Sequence, residues 1–290
     1  MTKKSVIWLS IILFVAVLTG VLFGFVFCLR NQTVKILGDS PILPTKEKII
    51  ETANLKNGSS IFMLDKETAT HNIETTYPYV KVIQIKTTNL TSVEIVVRAR
   101  HQMYYAEFND NYYILDEDLK VLTINMPEES IPAVEPTNLT KIEKDVLNIS
   151  INTKAGDFVG SVYQSQIAYE LYNSMINTVT KIENEGTEEE KRVYFTRDDV
   201  KDMIRLVEFE EFNTFSKIII TTKHGVKLDI EKPTSELTKK INICFSTIES
   251  FLSSEEQETK QKAESGTIKI YYDLNGEQKI IYIPETTSND

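Results

Sequence analysis

Two cysteines in 290 residues are too few for a disulfide framework. Cys28 lies in a long apolar run and Cys244 on an apolar helical stripe, so they are not expected to meet, and any core must be held by packing. Histidine is scarce as well. His71, His101 and His224 lie far apart with no ligand-like spacing, which argues against a metal site. There is no G-x-S-x-G, no H-E-x-x-H, no Walker loop and no C-x-x-C. The chain is therefore not expected to be an enzyme or to carry a cofactor. Runs of acids such as Asp116-Glu117-Asp118 and Glu188-Glu189-Glu190 could supply a carboxylate pair for glycoside chemistry, but adjacent acids at turns are expected to be solvated. Acidic residues are missing altogether before position 31. Three of the 32 basic residues (Lys3, Lys4 and Arg30) lie there, so residues 31–290 hold 29 basic and 42 acidic side chains, a net of −13. Such a body repels phosphate backbones, and nucleic acid is not an expected partner.

What fills the charge-free stretch is Ile, Leu, Val and Phe. Ser5 to Leu29 is a run of 25 residues without charge, long enough as a helix, at ~1.5 Å per residue, to cross a hydrocarbon core of ~30 Å. It is too long for the core of a cleaved signal peptide and ends Phe25-Val26-Phe27-Cys28-Leu29, with no small-residue cleavage pattern. An uncleaved signal anchor at 5–29 is expected, with residues 1–4 as a cytoplasmic tail and the body exported, in contact with membrane lipid through one helix. Gly20 and Gly24 form a G-x-x-x-G pair that suits close packing with a partner helix.

After the anchor, strand and helix signals alternate. Val34 to Leu37 reads as a strand stopped by Gly38, and Thr45 offers an N-cap to a helix bearing Ile49, Ile50 and Ala53. Asn57-Gly58 breaks the pattern, and Asp65 caps a second helix ending at Pro78. Strands follow at 80–85 and 93–97, giving β-α-α-β-β. Beyond position 103, strands are expected at 104–108, 112–115 and 121–124, and 127–141 reads as a loop. A helix is expected through Ile167, Leu171, Met175, Val179 and Ile182, then an acidic surface loop at 185–191, then a second helix opening at Thr196 and carrying Val200, Met203, Ile204 and Val207. Ile218 to Ile220 and Val226 to Ile230 form a hairpin, and Leu237, Ile241, Cys244 and Ile248 line one more helix. Asn275-Gly276 joins a terminal hairpin of 268–272 and 280–283.

The stretch 34–124 resembles the POTRA domain of the FtsQ/DivIB cell-division proteins. The resemblance is carried in order by Val34-x-Ile36-x-Gly38, by the helix start Thr45, by Gly58-Ser59-Ser60-Ile61-Phe62-Met63-Leu64-Asp65, by Tyr77-Pro78-Tyr79-Val80, by Val97-x-x-Arg100 and by Tyr113-Ile114-Leu115-Asp116. Gly38, Gly58, Phe62, Asp65, Pro78, Arg100 and Asp116 are its structural motif residues, with Gly58 and Phe62 assigned to packing. The chain departs from the family pattern at Asp39 (commonly Asn), Ala99 (Glu), Gln102 (Pro) and Leu119 (Gly). The resemblance implies an α+β chain with an N-terminal transmembrane helix, a POTRA domain at 33–102, a β-rich α+β domain at 103–284 ending in a β-hairpin, and a tail at 285–290.

Function by resemblance is that of a non-enzymatic scaffold of the division septum. It would bridge FtsB/DivIC-like and FtsL-like membrane partners and support the septal peptidoglycan synthase complex. The terminal hairpin suits strand addition, in which backbone groups give affinity and alternate side chains give specificity. The resemblance places an added FtsB/DivIC strand on Ile280, Ile281, Tyr282 and Ile283. A different class of protein fits the same features: an exported single-pass sensor or sporulation envelope protein using a POTRA-like binding module.

Overall fold

The computed structural model describes residues 3–285 apart from 39, 128–134, 137, 144, 146, 177–178, 184–190, 195–201 and 213–214; the side chains of 3–7, 9, 21–25, 179–183, 191–194, 211–212 and 215 also lie outside the description. The chain divides into two compact units, Met1–Arg100 and His101–Asp290.

The first unit opens with helix α1, Lys3–Val26. Strand β1 (Asn31–Leu37), helix α2 (Lys46–Ala53), a single 3-10 turn (Ile61–Met63), helix α3 (Lys66–Thr76) and strands β2 (Val80–Asn89) and β3 (Ser92–Ala99) follow. β3 is central, parallel to β1 and antiparallel to β2. Period-two burial puts Val93, Ile95 and Val97 of β3 against Ile49 of α2 and Ile73 of α3, with Ile61 closing the layer. The helix boundaries have local causes. The Asp65 carboxylate accepts from the Thr68 amide at 2.9 Å and its hydroxyl at 2.6 Å, which holds this carboxyl below its ordinary range. Thr45 sits at the start of α2 in extended backbone, but its side chain makes no capping bond.

Cys28 and Leu29 do not belong to an apolar span. The helix stops at Val26, Cys28 forms an antiparallel bridge with Ser60, and Leu29 is fully buried in the core of this unit. Their apolar character serves the fold rather than a bilayer, which is why hydropathy alone extends the run three residues too far. Among the described residues, which in α1 leave out the side chains of 3–7, 9 and 21–25, no helix is long and apolar enough to cross a membrane.

The second unit is one nine-stranded sheet with helices packed on one face. Strands β4 (Tyr104–Phe108), β5 (Asn111–Leu115), β6 (Val121–Asn125) and β7 (Thr140–Ile142) precede helix α4 (Val162–Ile176). A separate ribbon pairs β8 (Val179–Glu183) with β9 (Lys191–Tyr194). Then come β10 (Ile204–Phe212), β11 (Phe215–Thr222), β12 (Lys227–Glu231), helices α5 (Leu237–Leu252) and α6 (Gln257–Gln261), β13 (Thr267–Tyr272) and β14 (Gln278–Ile283). Spatial order is β14-β13-β12-β11-β10-β7-β4-β5-β6. Ile218, Ile220, Leu228, Ile230, Ile268 and Ile270 alternate along three strands to form the buried face. Ile241 and Cys244 of α5 and Leu171 and Met175 of α4 belong to the same core. Ser174 and Thr238 join the two helices through their hydroxyls at 2.8 Å.

Two expected helices end sooner than their spacing suggests; Asp202 and Met203 of the second are helical. α4 ends at Ile176, and Val179 and Ile182 lie on β8. Ile204 and Val207 lie on β10, while Thr196 and Val200 fall outside the described residues, as do all the acidic positions at 185–191. The cause in β10 is a bulge. Ile204 pairs with Thr222 and Leu206 with Thr221, so Arg205 is an extra residue and resets the alternation. Ile204 and Val207 are consequently both buried three residues apart, a spacing that imitates a helix. The ribbon strand β8 carries the same kind of register shift between Val179 and Lys181. The strand β7, read as the end of a loop, is too short to show a period.

Cys244 is wholly buried, and burial pushes its thiol up to about 12. In native protein at neutral pH a chromogenic disulfide reagent is expected to titrate at most Cys28, with Cys244 appearing only on denaturation. Two rapidly reacting thiols before unfolding would contradict this placement.

Candidate functional site

The terminal hairpin is built by its turn. Gly276 takes φ +77 and donates to the Asp273 carbonyl at 2.9 Å, while the Asp273 carboxylate accepts from the amides of Asn275 and Glu277, both at 2.9 Å. That closure sets β14 antiparallel to β13, with Ile268 opposite Tyr282, Lys269 opposite Ile281 and Ile270 opposite Ile280. β14 ends the nine-stranded order, so its other side carries no strand of this sheet.

The two faces of β14 are unlike. Tyr282 stands with the buried Ile268 row, and its ring meets Phe251 of α5 edge-on at 5.4 Å. Its hydroxyl donates to the Ser265 carbonyl at 3.0 Å, and burial raises the phenol. Gly266, at φ +89, makes room for this arrangement: a Cβ there would lie 2.6 Å from the tyrosine hydroxyl. Ile281 and Ile283 occupy the opposite face, 39% and 44% exposed, and Ile280 is 43% exposed despite lying on the core-side row. Three half-exposed isoleucines in four residues of an edge strand are an unusual concentration.

Beside Ile281 the outward face of the sheet is a ladder of charges. Lys217 of β11 lies 3.0 Å from Glu210 and 3.8 Å from Asp229, and Lys269 of β13 lies 3.5 Å from Glu231 and 3.9 Å from Asp229. Burial raises the Asp229 carboxyl against the pull of Lys217 and Lys269. Cross-strand pairs of this kind fix register on a half-buried face. A strand added to β14 would thus meet an apolar strip bordered by alternating charge.

The motif residues sort differently. Gly38 and Gly58 take φ +77 and +85, and the Gly58 amide donates to the Leu29 carbonyl at 2.8 Å. Pro78 separates α3 from β2, lining an open groove of about 270 Å³ with Ile42, Pro44, Tyr77 and Tyr79. Phe62 is corrected: it is 70% exposed and touches Phe27, ring centroids 5.3 Å apart, while its neighbour Ile61 fills the core position. Arg100 is buried, its guanidinium 2.8 Å from the Glu74 carboxylate and donating through Nε to the Val80 carbonyl at 3.2 Å. Glu74 had no sequence signal, because a single acid on a helix face looks like a solvated one.

Asp116 belongs to the second unit, at the turn from β5 to β6, and with Glu117 it is buried rather than solvated. The run 188–190 lies outside the described residues. A Cβ on Gly20 would meet nothing within 4 Å, so no described element packs on it; the surroundings of Gly24 lie outside the description. Among the described residues no three His, Cys, Asp or Glu side chains converge to hold a metal ion.

The family model described as "POTRA domain, FtsQ-type" matches residues 30–100, the segment that forms the β-α-α-β-β unit. The chain is also similar to the cell division protein DivIB of Clostridium acetobutylicum, 32% identical over 78 residues. That match covers 27% of this chain and 31% of the relative, a little under a third of its length.

Proposed function

We propose that the chain, whose residues 30–100 match an FtsQ-type POTRA domain, is a cell-division protein of the FtsQ/DivIB kind acting as a non-enzymatic scaffold at the septum. Its exported body would hold FtsB/DivIC-like and FtsL-like partners beside the septal peptidoglycan synthase. The observation that carries the binding reading is the edge at β14, where Ile280, Ile281 and Ile283 are half-exposed on a strand that pairs on one side only among the described residues. An incoming partner strand would extend the sheet there, its apolar residues covering Ile281 and Ile283.

α1 would serve as the signal anchor, N-terminus in the cytoplasm. Its 24 residues span about 36 Å at ~1.5 Å each. Trp8, Ile11, Ile12, Leu13, Phe14 and Val15 are each about half exposed or more, on every side of the helix. A helix apolar all round and exposed at its described side chains suits a lipid environment. Gly20 and Gly24 would be the close-approach face for a partner helix.

Tyr282 packs on Phe251, so a charge there would disturb the core as well as the edge. Ile281→Lys combined with Ile283→Lys loads only the outward face. This variant is expected to weaken co-purification with the DivIC-like partner at least tenfold, about 1.4 kcal/mol, with an unchanged melting curve. Ile281→Pro should do the same by removing a backbone donor. Undiminished capture by both variants would refute strand addition at β14. A fluorescent fusion that stays evenly spread through division, with no defect on depletion, would refute the septal role itself.

A further inference from the structure

We propose that Phe62, seated on Phe27, and its neighbour Met63 form a foot by which the POTRA domain rests in the outer interfacial layer of the bilayer, so that the domain is clamped to the membrane surface rather than tethered to it. The inference rests on α1 being the anchor.

No linker separates the helix from the fold. One residue past Val26, the Phe27 carbonyl accepts from the Ile61 amide at 2.8 Å. Cys28 then bridges Ser60, the Leu29 amide donates to the Ser59 carbonyl and the Gly58 amide donates to the Leu29 carbonyl, both at 2.8 Å. Residues 58–61 are thus hydrogen-bonded, strand-like, to the first three residues after the helix. Whatever depth Val26 reaches, the 3-10 turn Ile61–Met63 is held within a few residues' reach of it.

That turn exposes what a folded domain ordinarily hides. Phe62 is 70% exposed and Met63 84%, next to a helix end whose Val26 is 41% exposed. Ile61, between Ser60 and Phe62, is buried in the core and fixes the direction of the turn. The Phe27–Phe62 ring contact makes the exposed pair continuous with the apolar surface of α1. A helix 36 Å long (about 1.5 Å per residue over its 24 residues) fills a ~30 Å hydrocarbon core with its end in the boundary layer. Aromatic and apolar side chains are favoured at that level. Charge does not select the occupant, because Lys56 and Lys66 are exposed there together with Asp65 and Glu67; the contact is an apolar one and should persist in neutral lipid and in high salt.

The chain has a single tryptophan, Trp8, in α1, which provides the test and its control. Full-length protein is reconstituted into phosphatidylcholine vesicles whose acyl chains are brominated either near the headgroup or near the terminal methyl. Trp8 in the native protein reports on the anchor. Phe62→Trp in a Trp8→Phe background reports on the foot. The expected result is bromine quenching of Trp8 and, for the tryptophan placed at 62, a blue-shifted emission quenched more by shallow than by deep bromine. Loss of that quenching on adding Met63→Ser, with circular dichroism unchanged, would support the pair acting together. If Trp8 is quenched and the reporter at 62 is neither shifted nor quenched, the anchor stands and the foot is overturned, leaving the exposed pair to a protein partner. If Trp8 is not quenched, the anchor reading fails and the foot fails with it.

Discussion

Arg100→Ala is expected to destabilise the POTRA domain by about 3–5 kcal/mol, the cost of leaving a carboxylate buried without its partner. The side chains of Arg100 and Glu74 are only 2% and 11% exposed, so solvent cannot take over the lost contact. Glu74 is doubly committed: one oxygen receives Arg100 and the other accepts from the Val82 amide at 2.8 Å. That amide is freed by a bulge in β2, where Val82 pairs with Val97 and Gln84 with Val96. The pair therefore ties α3 to the irregular start of β2, and Nε of Arg100 holds the Val80 carbonyl in the same place. Lysine has one compact donor head and cannot serve both, so Arg100→Lys should recover only part of the loss. Glu74→Leu with Arg100→Met should be milder than Arg100→Ala alone, since it removes both charges and leaves no buried carboxylate, although the Val82 amide and the Val80 carbonyl lose their side-chain partners. Hydrogen exchange on the full chain provides the measurement, with protection falling across residues 30–100 and unchanged beyond 101. Against a domain stability of about 5–15 kcal/mol, a change under about 0.5 kcal/mol would show that the pair is not structural.

Asp116→Ala should have an effect of similar size in the second unit, about 3–6 kcal/mol, from two hydrogen bonds to a buried carboxylate at about 1.5–3 kcal/mol each. Asp116 has no exposed surface, and its Oδ1 accepts from the amides of Asp118 and Lys120, both at 2.9 Å. Those bonds hold a turn in which Leu119 adopts φ +60, a conformation costing an ordinary residue roughly 1–2 kcal/mol. Leu119 is tolerated there because its side chain is fully buried in the main core against Gly160, where an added Cβ would lie 2.6 Å from the Leu119 Cδ1. This is the position where the FtsQ/DivIB pattern has glycine. Leu119→Gly would relieve the backbone and lose the burial. At about 2–5 kcal/mol for emptying a buried leucine site, burial outweighs strain, and a net loss is expected. Asp116→Asn retains the accepting oxygen and should cost less than the alanine. Denaturant midpoints that rank Asn as low as Ala would mean that the charge, not the turn geometry, is what Asp116 supplies.

Much of the fold was legible because its signals are local. The β-α-α-β-β order followed from apolar spacing and from capping and breaking residues, and Asp65 caps α3 as its position before an apolar-periodic run suggested. Asn275-Gly276 marked the terminal hairpin, and the 237–252 stripe marked α5. The failures share a cause. Ile204 and Val207 of β10 are brought to one face by a bulge at Arg205, and a one-residue insertion converts a period of two into a spacing of three. The motif suggests packing rather than a partner site for Gly58 and Phe62, yet Phe62 is mostly exposed. Ile61 takes the core position, and no pattern of three residues can say which side of a 3-10 turn faces inward. Asp116 and Glu117 looked like solvated acids because composition carries no burial.

What the sequence determined by itself was the class of most segments and the boundary between an apolar, slightly basic head and an acidic body, since both depend on residues within a turn or two of each other. It also contained the isoleucines of β14. That these isoleucines lie on an edge was decided by tertiary structure alone. Edge status depends on β13 pairing in parallel with β12 across the whole of α5 and α6, and on β10, β7 and β4 joining two halves of one sheet through strands distant in sequence. The same holds for the union of Arg100 with Glu74 and of Phe27 with Ile61. Hydrogen bonds and ion pairs between distant residues form only when packing brings them together, and their partners leave no mark on local spacing.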